Sequence, residues 1–184
     1  MTNAKIAVVV GSLRAGSFNR KLSHAVVRLA PPDLSFSDVR IDDLPLYNQD
    51  DDDRPAVASV ARLRNQIRDC DGVLFATPEY NRSVPGGLKN AIDHGSRPYG
   101  HNVWASKPAG IIGISPGKMG TSMAQQHLRN ILASVDMPTL ALPEVFLQAD
   151  DKIFDSAGNV AANTQQFLRS WITRFHDWVQ QHKR

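Results

Sequence analysis

The stretch VVVGSLRAGSFNRK, residues 8–21, joins an apolar run to a helical pattern through a loop with two glycines. Residues 5–10 form a largely β-branched apolar run, which is typical of a strand covered on both faces of a parallel sheet. The loop carries hydroxyl, guanidinium and amide groups on Ser12, Arg14, Ser17 and Asn19. Because the following helix begins with unpaired N–H groups, this composition predicts an anion site. Simple capping of the helix by Ser17 or Asn19 is the alternative.

The rest of the chain repeats this alternation of short apolar runs and helical periodicity. The predicted strands cover residues 5–10, 35–41, 72–77, 109–115 and 139–146, and the predicted helices cover 18–29, 55–68, 88–95, 121–134 and 163–181. Pro55 suits the first turn of the second helix. Five strands with intervening helices predict an α/β fold with a doubly wound parallel sheet in flavodoxin-like order. No linker or repeat divides the chain, so one domain over residues 1–184 is expected.

Composition narrows the possible functions. A chain of 184 residues with 42% hydrophobic residues can bury one substantial core. The net charge of +3 comes without a cluster of basic and aromatic residues, which disfavours a nucleic-acid partner. The sequence has no apolar run long enough for a membrane span and no apolar leader at its start, so a cytoplasmic protein without a membrane partner is expected.

Metal and disulfide chemistry also have little support in the sequence. The single cysteine, Cys70, cannot form an internal disulfide and is expected to be a small buried hydrophobe. The histidines show no zinc-ligand spacing. The acidic run at residues 50–53 could bind a metal, but adjacent carboxylates on a loop more often form a solvated tip. No metal site is therefore predicted.

The first loop discriminates between three kinds of phosphate site. A Walker A loop needs a lysine after its second glycine, and here Ser17 and Phe18 follow Gly16. A dinucleotide fingerprint needs closely spaced glycines where this chain has Leu13 and Arg14. The remaining hydroxyl, amide and guanidinium groups suit a terminal phosphate monoester, and FMN carries such a group.

Two more glycine- and proline-rich loops follow the third and fourth predicted strands. The stretch TPEYNRSVPGGLKNAID, residues 77–93, offers Tyr80 for stacking on a flat ring and the main-chain N–H of Asn81 as a donor. A plain helix entry with Pro85 near its first turn is the alternative. The stretch SPGKMGT, residues 115–121, has glycines that let the backbone approach a planar ligand.

These motifs together resemble the NAD(P)H-dependent FMN reductases, and within them the bacterial chromate and quinone reductases. The resemblance rests on GSLRAGSFN at residues 11–19, on residues 77–93 and on KPAGIIGISPGKMGTSMAQQHLR at residues 107–129. It extends to about residue 146, with Ser106 at a position that is often glycine in the family. It implies a flavodoxin-like three-layer sandwich with a five-stranded parallel sheet.

The resemblance also assigns roles to individual residues. It places an FMN phosphate cradle at Ser12, Arg14, Ser17, Phe18 and Asn19, with Phe18 acting mainly through its backbone. It places the flavin ring between a loop formed by Pro78, Glu79, Tyr80 and Asn81 and a second wall formed by Ser115, Pro116 and Gly117. No side chain is expected to act as acid or base, because the flavin N5 carries the hydride.

The implied activity is ping-pong hydride transfer from NADPH or NADH through FMN to a small acceptor such as a quinone, flavin, azo compound or chromate. A homodimer or homotetramer is implied, with the helices from Leu88 and Thr121 and part of the loop 44–53 at the interface.

The alternative to this enzymatic function is a flavodoxin-like electron carrier or flavin-binding regulator that does not turn over NAD(P)H. Such carriers are usually acidic, and this chain is basic.

Two aromatic residues outside these loops also bear on the site. Trp104 could lie beside the flavin or could anchor the polar segment around it. His127 is expected to be a packed histidine rather than a base, because its neighbours in the predicted helix are apolar.

Overall fold

The structure is a computed structural model and describes residues 3–183. All five strands are parallel, and the sheet has the order β2-β1-β3-β4-β5. The strands are β1 Ala4–Val10, β2 Leu34–Val39, β3 Gly72–Ala76, β4 Ala109–Ser115 and β5 Val145–Gln148, and the helices are α1 Phe18–Arg28, α2 Ala58–Arg68, α3 Gly86–Ser96, α4 Ser122–Ser134 and α5 Ala162–His182. This is the flavodoxin strand order that the sequence predicts.

Helices cover both faces of the sheet and make a three-layer sandwich. On one face, α1 and α5 pack Leu22 and Phe175 against Val8 and Ile112. On the other face, the apolar stripes of α2, α3 and α4 pack against the opposite side chains of β1, β3 and β4. Because β1 and β3 are buried along almost their whole length, their sequences read as continuous apolar runs.

Trp104 lies in the core and anchors the segment that follows α3. It is fully buried, and its indole Nε1 donates to the carbonyl of Ile92 at 2.9 Å. The ring packs so closely over Gly95 that a Cβ there would come within 2.2 Å of Nε1. Of the two roles considered for Trp104, the structure supports the anchor.

The fifth strand and the second helix begin later than their sequences predict. The predicted strand at residues 139–146 is found at Val145–Gln148. Thr139 forms only an isolated bridge with Ala109, and Pro143, which has no N–H to donate, separates that bridge from the strand. In the predicted helix at 55–68, Pro55 lies outside α2, whose N-cap is Val57 with extended backbone and no side-chain cap.

Cys70 and the acidic run have the surroundings that the sequence predicts. Cys70 is buried, and burial raises the pKa of its thiol. A short 3₁₀ helix at Gln49–Asp51 carries part of the acidic run, in which Asp50, Asp51 and Asp53 are exposed. Within residues 3–183, no group of three His, Cys, Asp or Glu residues could hold a metal ion.

Among the helices of residues 3–183, none is both long and apolar enough to cross a membrane.

Candidate functional site

The loops after β1, β3 and β4 meet at the carboxyl edge of the sheet. The N–H of Gly11 bonds the carbonyl of Ala76 at 2.9 Å, and the N–H of Thr77 bonds that of Ile112 at 3.0 Å. The strand order reverses between β1 and β3, which opens a crevice beyond their carboxyl ends. The structure therefore brings together the three loops that the sequence singles out.

The first turn of α1 presents unpaired donors to this crevice. Ser17 is the N-cap, and its hydroxyl oxygen accepts from the N–H of Arg20 at 3.1 Å. The N–H groups of Phe18 and Asn19 have no partner within the helix, as helix geometry requires at these positions. No acidic residue lies in this first turn, so the positive end of the helix dipole stays uncompensated. Ser17 thus caps the helix and borders the proposed cradle as well.

Ser12 and Arg14 provide further donors in the same loop. Ser12 is only 2% exposed, and its hydroxyl bonds to no other residue among 3–183. The guanidinium of Arg14 is exposed and lies 5.6 Å from the centroid of the Phe18 ring. Within residues 3–183, no carboxylate forms an ion pair with Arg14. Both groups are thus available to an anion.

The side chain of Asn19 is used elsewhere. Its amide nitrogen donates to the carbonyl of Ile114 at 2.9 Å, and its oxygen accepts from the N–H of Ile114 at 3.1 Å. Both contacts are buried. The side-chain amide is therefore not available to a phosphate. Of Asn19, the backbone N–H at the N-terminus of α1 is the group that can serve the cradle.

The loop after β3 forms a tight hairpin at residues 80–83. Tyr80 and Ser83 exchange two backbone hydrogen bonds of 3.0 Å each. The two central residues have positive φ, 52° at Asn81 and 63° at Arg82, which is the pattern of a type I′ turn. Tyr80 is half exposed, and Asn81 makes no hydrogen bond to the rest of residues 3–183. The ring and the Asn81 N–H can both meet a ligand.

Glu79 serves the beginning of α4. Its Oε2 accepts from the N–H of Ala124 in the first turn of the helix at 3.1 Å. The N-cap residue Thr121 makes no side-chain cap of its own. A carboxylate at this end of a helix is stabilised by the helix dipole. Glu79 therefore fixes the hairpin loop to α4, and its side chain has a structural partner that the sequence does not reveal.

The loop after β4 is held by its own polar groups. The hydroxyl of Ser115 donates to the carbonyl of Gly120 and, at 3.4 Å, to that of Gly117. Gly120 has φ of 60°, and a Cβ there would lie 3.0 Å from the backbone of Phe146. Pro116 and Gly117 remain exposed at the rim. The loop can thus offer its backbone as a wall, whereas the Ser115 hydroxyl closes the turn.

His127 is exposed, so its interpretation as a packed histidine is wrong. The buried face of α4 carries Ala124 and Leu128, and His127 points away from this face. Its Nδ1 lies 2.9 Å from the hydroxyl oxygen of Ser83 in the hairpin. The sequence does not reveal this contact between Ser83 and His127, because only the fold brings α4 beside the hairpin.

These features fit FMN. The unpaired N–H groups of α1, the Ser12 hydroxyl and the Arg14 guanidinium match the oxygen atoms of a terminal phosphate. Tyr80 and the unbonded N–H of Asn81 match a flat heteroaromatic ring with polar edges.

Comparisons with known proteins agree with this fit. A family model described as NADPH-dependent FMN reductase matches residues 4–152. The chain is 49% identical over 177 residues to a 2-hydroxy-1,4-benzoquinone reductase of Burkholderia sp., covering 95% of this chain and 96% of that protein. It is 47% identical over 174 residues to a quinone reductase of Pseudomonas putida, covering 95% of this chain and 94% of that protein.

A solved structure is similar along almost the whole chain. It is FerB, a flavoenzyme NAD(P)H:(acceptor) oxidoreductase from Paracoccus denitrificans, with a TM-score of 0.92 and 43% sequence identity. The match covers 98% of this chain and 100% of that one. The chain therefore belongs to the NADPH-dependent FMN reductase family and is an oxidoreductase that uses FMN and NAD(P)H.

Proposed function

We propose that this enzyme reduces quinones with electrons from NAD(P)H, and that it also accepts other small oxidants such as free flavins, azo compounds or chromate. The observation that carries the proposal is the open first turn of α1, whose first N–H groups have no partner within the helix and lie beside Arg14, which forms no ion pair within residues 3–183. The similarity to proteins named quinone reductases supports the choice of acceptor.

In this proposal each loop has one task. The side chains of Ser12, Arg14 and Ser17 and the N–H groups of Phe18 and Asn19 hold the phosphate. The second loop borders the ring with Pro78, Glu79, Tyr80 and Asn81, where Glu79 acts by fixing the loop to α4. The third loop forms the opposite wall with Ser115, Pro116 and Gly117. When bound, FMN supplies the two-electron chemistry that no side chain here provides.

The rim of the site favours broad acceptor use. Tyr80 is 50% exposed and Met119, in the loop after β4, is 60% exposed. Such exposed, polarisable side chains can stack on flat molecules without imposing one hydrogen-bond pattern. A quinone and a free flavin can then use the same surface.

The sequence leaves open an electron carrier without NAD(P)H turnover, and one anaerobic experiment tests the enzyme activity against this alternative. Purified protein is loaded with FMN, mixed with NADPH or with NADH, and followed at the flavin absorbance near 450 nm. We expect rapid bleaching and, on addition of a quinone, return of the colour. Protein that binds FMN but does not bleach would be a carrier, and protein that takes up no FMN would overturn the proposed site.

We also propose a cytoplasmic homodimer or homotetramer that acts on small molecules and has no nucleic-acid or membrane partner. Two exposed apolar side chains support the assembly, Leu46 in the loop 44–53 at 87% exposure and Met123 on α4 at 41%. Both lie in segments that the family resemblance places at the subunit boundary. Light scattering during gel filtration gives the mass, and a monomer at micromolar concentration would contradict the assembly.

A further inference from the structure

The hairpin at residues 80–83 is tied to α4 at both of its ends. Before the hairpin, Glu79 accepts from the backbone N–H of Ala124 at 3.1 Å. At its end, the Ser83 hydroxyl lies 2.9 Å from Nδ1 of His127. Positions 124 and 127 are neighbours on the helix surface, one turn apart. The first two turns of α4 therefore hold both ends of the hairpin, through the backbone N–H of Ala124 and the side chain of His127.

Between these two ties, the turn is closed by its backbone hydrogen bonds, and its side chains add little to them. The side chains of Tyr80, Asn81 and Arg82 are exposed and make no hydrogen bonds within residues 3–183. Asn81 and Arg82 both have positive φ, a conformation that is unfavourable for arginine in particular. A backbone in such a conformation persists only where its surroundings hold it. Two backbone hydrogen bonds between Tyr80 and Ser83 close the turn, and within residues 3–183 the side-chain ties of Glu79 and Ser83 fix it to α4.

We propose that His127 is a positioning residue for the flavin ring, acting through Ser83. This inference rests on the proposed function, which places the ring against residues 78–81. His127 fixes the Ser83 end of the hairpin and so sets where Tyr80 and the Asn81 N–H stand before a ligand arrives. Without His127, Glu79 is the side chain that still ties the hairpin to α4, and the Ser83 end is held by the backbone that leads through Val84 into α3.

The test compares four single variants. His127→Leu and Ser83→Ala each remove the contact. His127→Asn keeps a polar atom near the position of Nδ1 and should restore it. Gln126→Leu is the matched control, because the Gln126 side chain is exposed on the same helix and makes no hydrogen bond within residues 3–183.

Two measurements are made on each variant. Hydrogen–deuterium exchange of the FMN-free protein reports the mobility of residues 79–84, and fluorescence titration gives the FMN dissociation constant. We expect His127→Leu and Ser83→Ala to speed exchange in the hairpin and to weaken FMN binding by about 2- to 10-fold, the equivalent of one hydrogen bond. A fifth variant that combines His127→Leu with Ser83→Ala should lose no more than either single one, because the two changes break the same contact. His127→Asn and Gln126→Leu should behave like the starting protein.

The outcomes separate this inference from the proposed function. Unchanged exchange and affinity in His127→Leu, or additive losses in the double variant, would overturn the role of His127. An equal effect of Gln126→Leu would also overturn it, because the loss would then reflect the helix surface in general. If the starting protein took up no FMN, the proposed function would fail, and the exchange data would still show whether His127 holds the hairpin.

Discussion

The side-chain amide of Asn19 bonds both backbone groups of Ile114, as a neighbouring strand would do. Asn19 donates to the carbonyl of Ile114 at 2.9 Å and accepts from its N–H at 3.1 Å. Two residues earlier, the carbonyl of Ile112 is still bonded by the backbone of Thr77, just beyond the end of β3. Because alternate residues of a strand bond to the same side, Asn19 continues the β3 side of the ladder. The first turn of α1 is thereby fixed to β4.

This contact predicts a stability loss in Asn19→Ala. The substitution leaves the buried N–H and C=O of Ile114 without partners, which should lower the free energy of unfolding by about 2–4 kcal/mol. Urea unfolding followed by circular dichroism measures it. Asn130→Ala, at an exposed position of α4, is the control and should change the value by less than about 0.5 kcal/mol. Unaltered stability in Asn19→Ala would show that the side chain has another task.

The phosphate cradle predicts a selective effect of Arg14→Ala. Loss of a charge-assisted bond to the phosphate should weaken FMN binding by about 1.5–3 kcal/mol. Riboflavin has no phosphate, so its affinity should stay the same. Titration of flavin fluorescence gives both constants, and Arg174→Ala, at an exposed position of α5, controls for net charge. Equal losses for FMN and riboflavin would mean that Arg14 does not bind the phosphate.

Substitution by alanine should have opposite effects on stability at two glycines, Gly113 and Gly86. A Cβ at Gly113 would lie 1.8 Å from the Thr121 hydroxyl and 2.7 Å from the carbonyl of Thr77, between two of the site loops. We expect Gly113→Ala to cost at least about 1–3 kcal/mol through this overlap. At Gly86 no atom lies within 4 Å of a Cβ, so Gly86→Ala should leave stability unchanged or raise it by up to about 1 kcal/mol. Thermal unfolding of the two variants tests the contrast, which equal melting temperatures would refute.

A histidine on α5 predicts a pH-dependent contribution to stability. Burial alone would lower the pKa of His176, but hydrogen bonds to Asp33 at 2.9 Å and Asp177 at 3.1 Å outweigh it, and the pKa is raised. The bond from His176 lowers the pKa of Asp33. The folded state favours protonated His176, so this histidine adds to the free energy of unfolding. Its stabilising effect is complete below about pH 6.5, the ordinary pKa of a histidine, and is lost as pH rises through the pKa in the folded state. The Asp33 contribution is lost as pH falls below about 4.

Urea unfolding at several pH values measures this linkage in His176→Gln. The difference from the starting protein should be largest near pH 5.5 and should shrink by pH 8.5. Asp177→Asn, at an exposed position, should show a weaker form of the same dependence. A difference that is constant with pH would indicate that His176 stabilises the fold by packing alone.

The sequence predicts the sheet well because most of its strands are buried on both faces. β4 is found at the predicted bounds, and β1 begins one residue earlier than predicted, since each is a continuous apolar run. The fifth strand has no such signal: it alternates in burial and lies at the sheet edge. Its position depends on pairing with β4, which no local pattern records.

For the candidate site, the sequence predicts the positions of the loops but not the partners of their side chains. The sequence locates the loops, because their glycines, prolines and hydroxyl groups follow apolar strands. It cannot show that the side chains of Asn19 and Glu79 have partners in distant elements, at Ile114 and Ala124. Whether a polar side chain is free for a ligand is decided by tertiary contacts. His127 differs, because its place on the helix, next to the buried Leu128 but off its stripe, could have indicated exposure.

Helix α5, which is synthesised after all five strands, covers part of the sheet. Trp171, Phe175 and Val179 of α5 are at most 1% exposed, and they lie over β3 and β4 at Gly72 and Gly110. While a ribosome is still adding these residues, α1 can already cover part of this face, but the part over Gly72 and Gly110 has no cover. The sheet can therefore reach its final packing only after α5 has emerged, and until then this bare apolar strip is a natural target for chaperones.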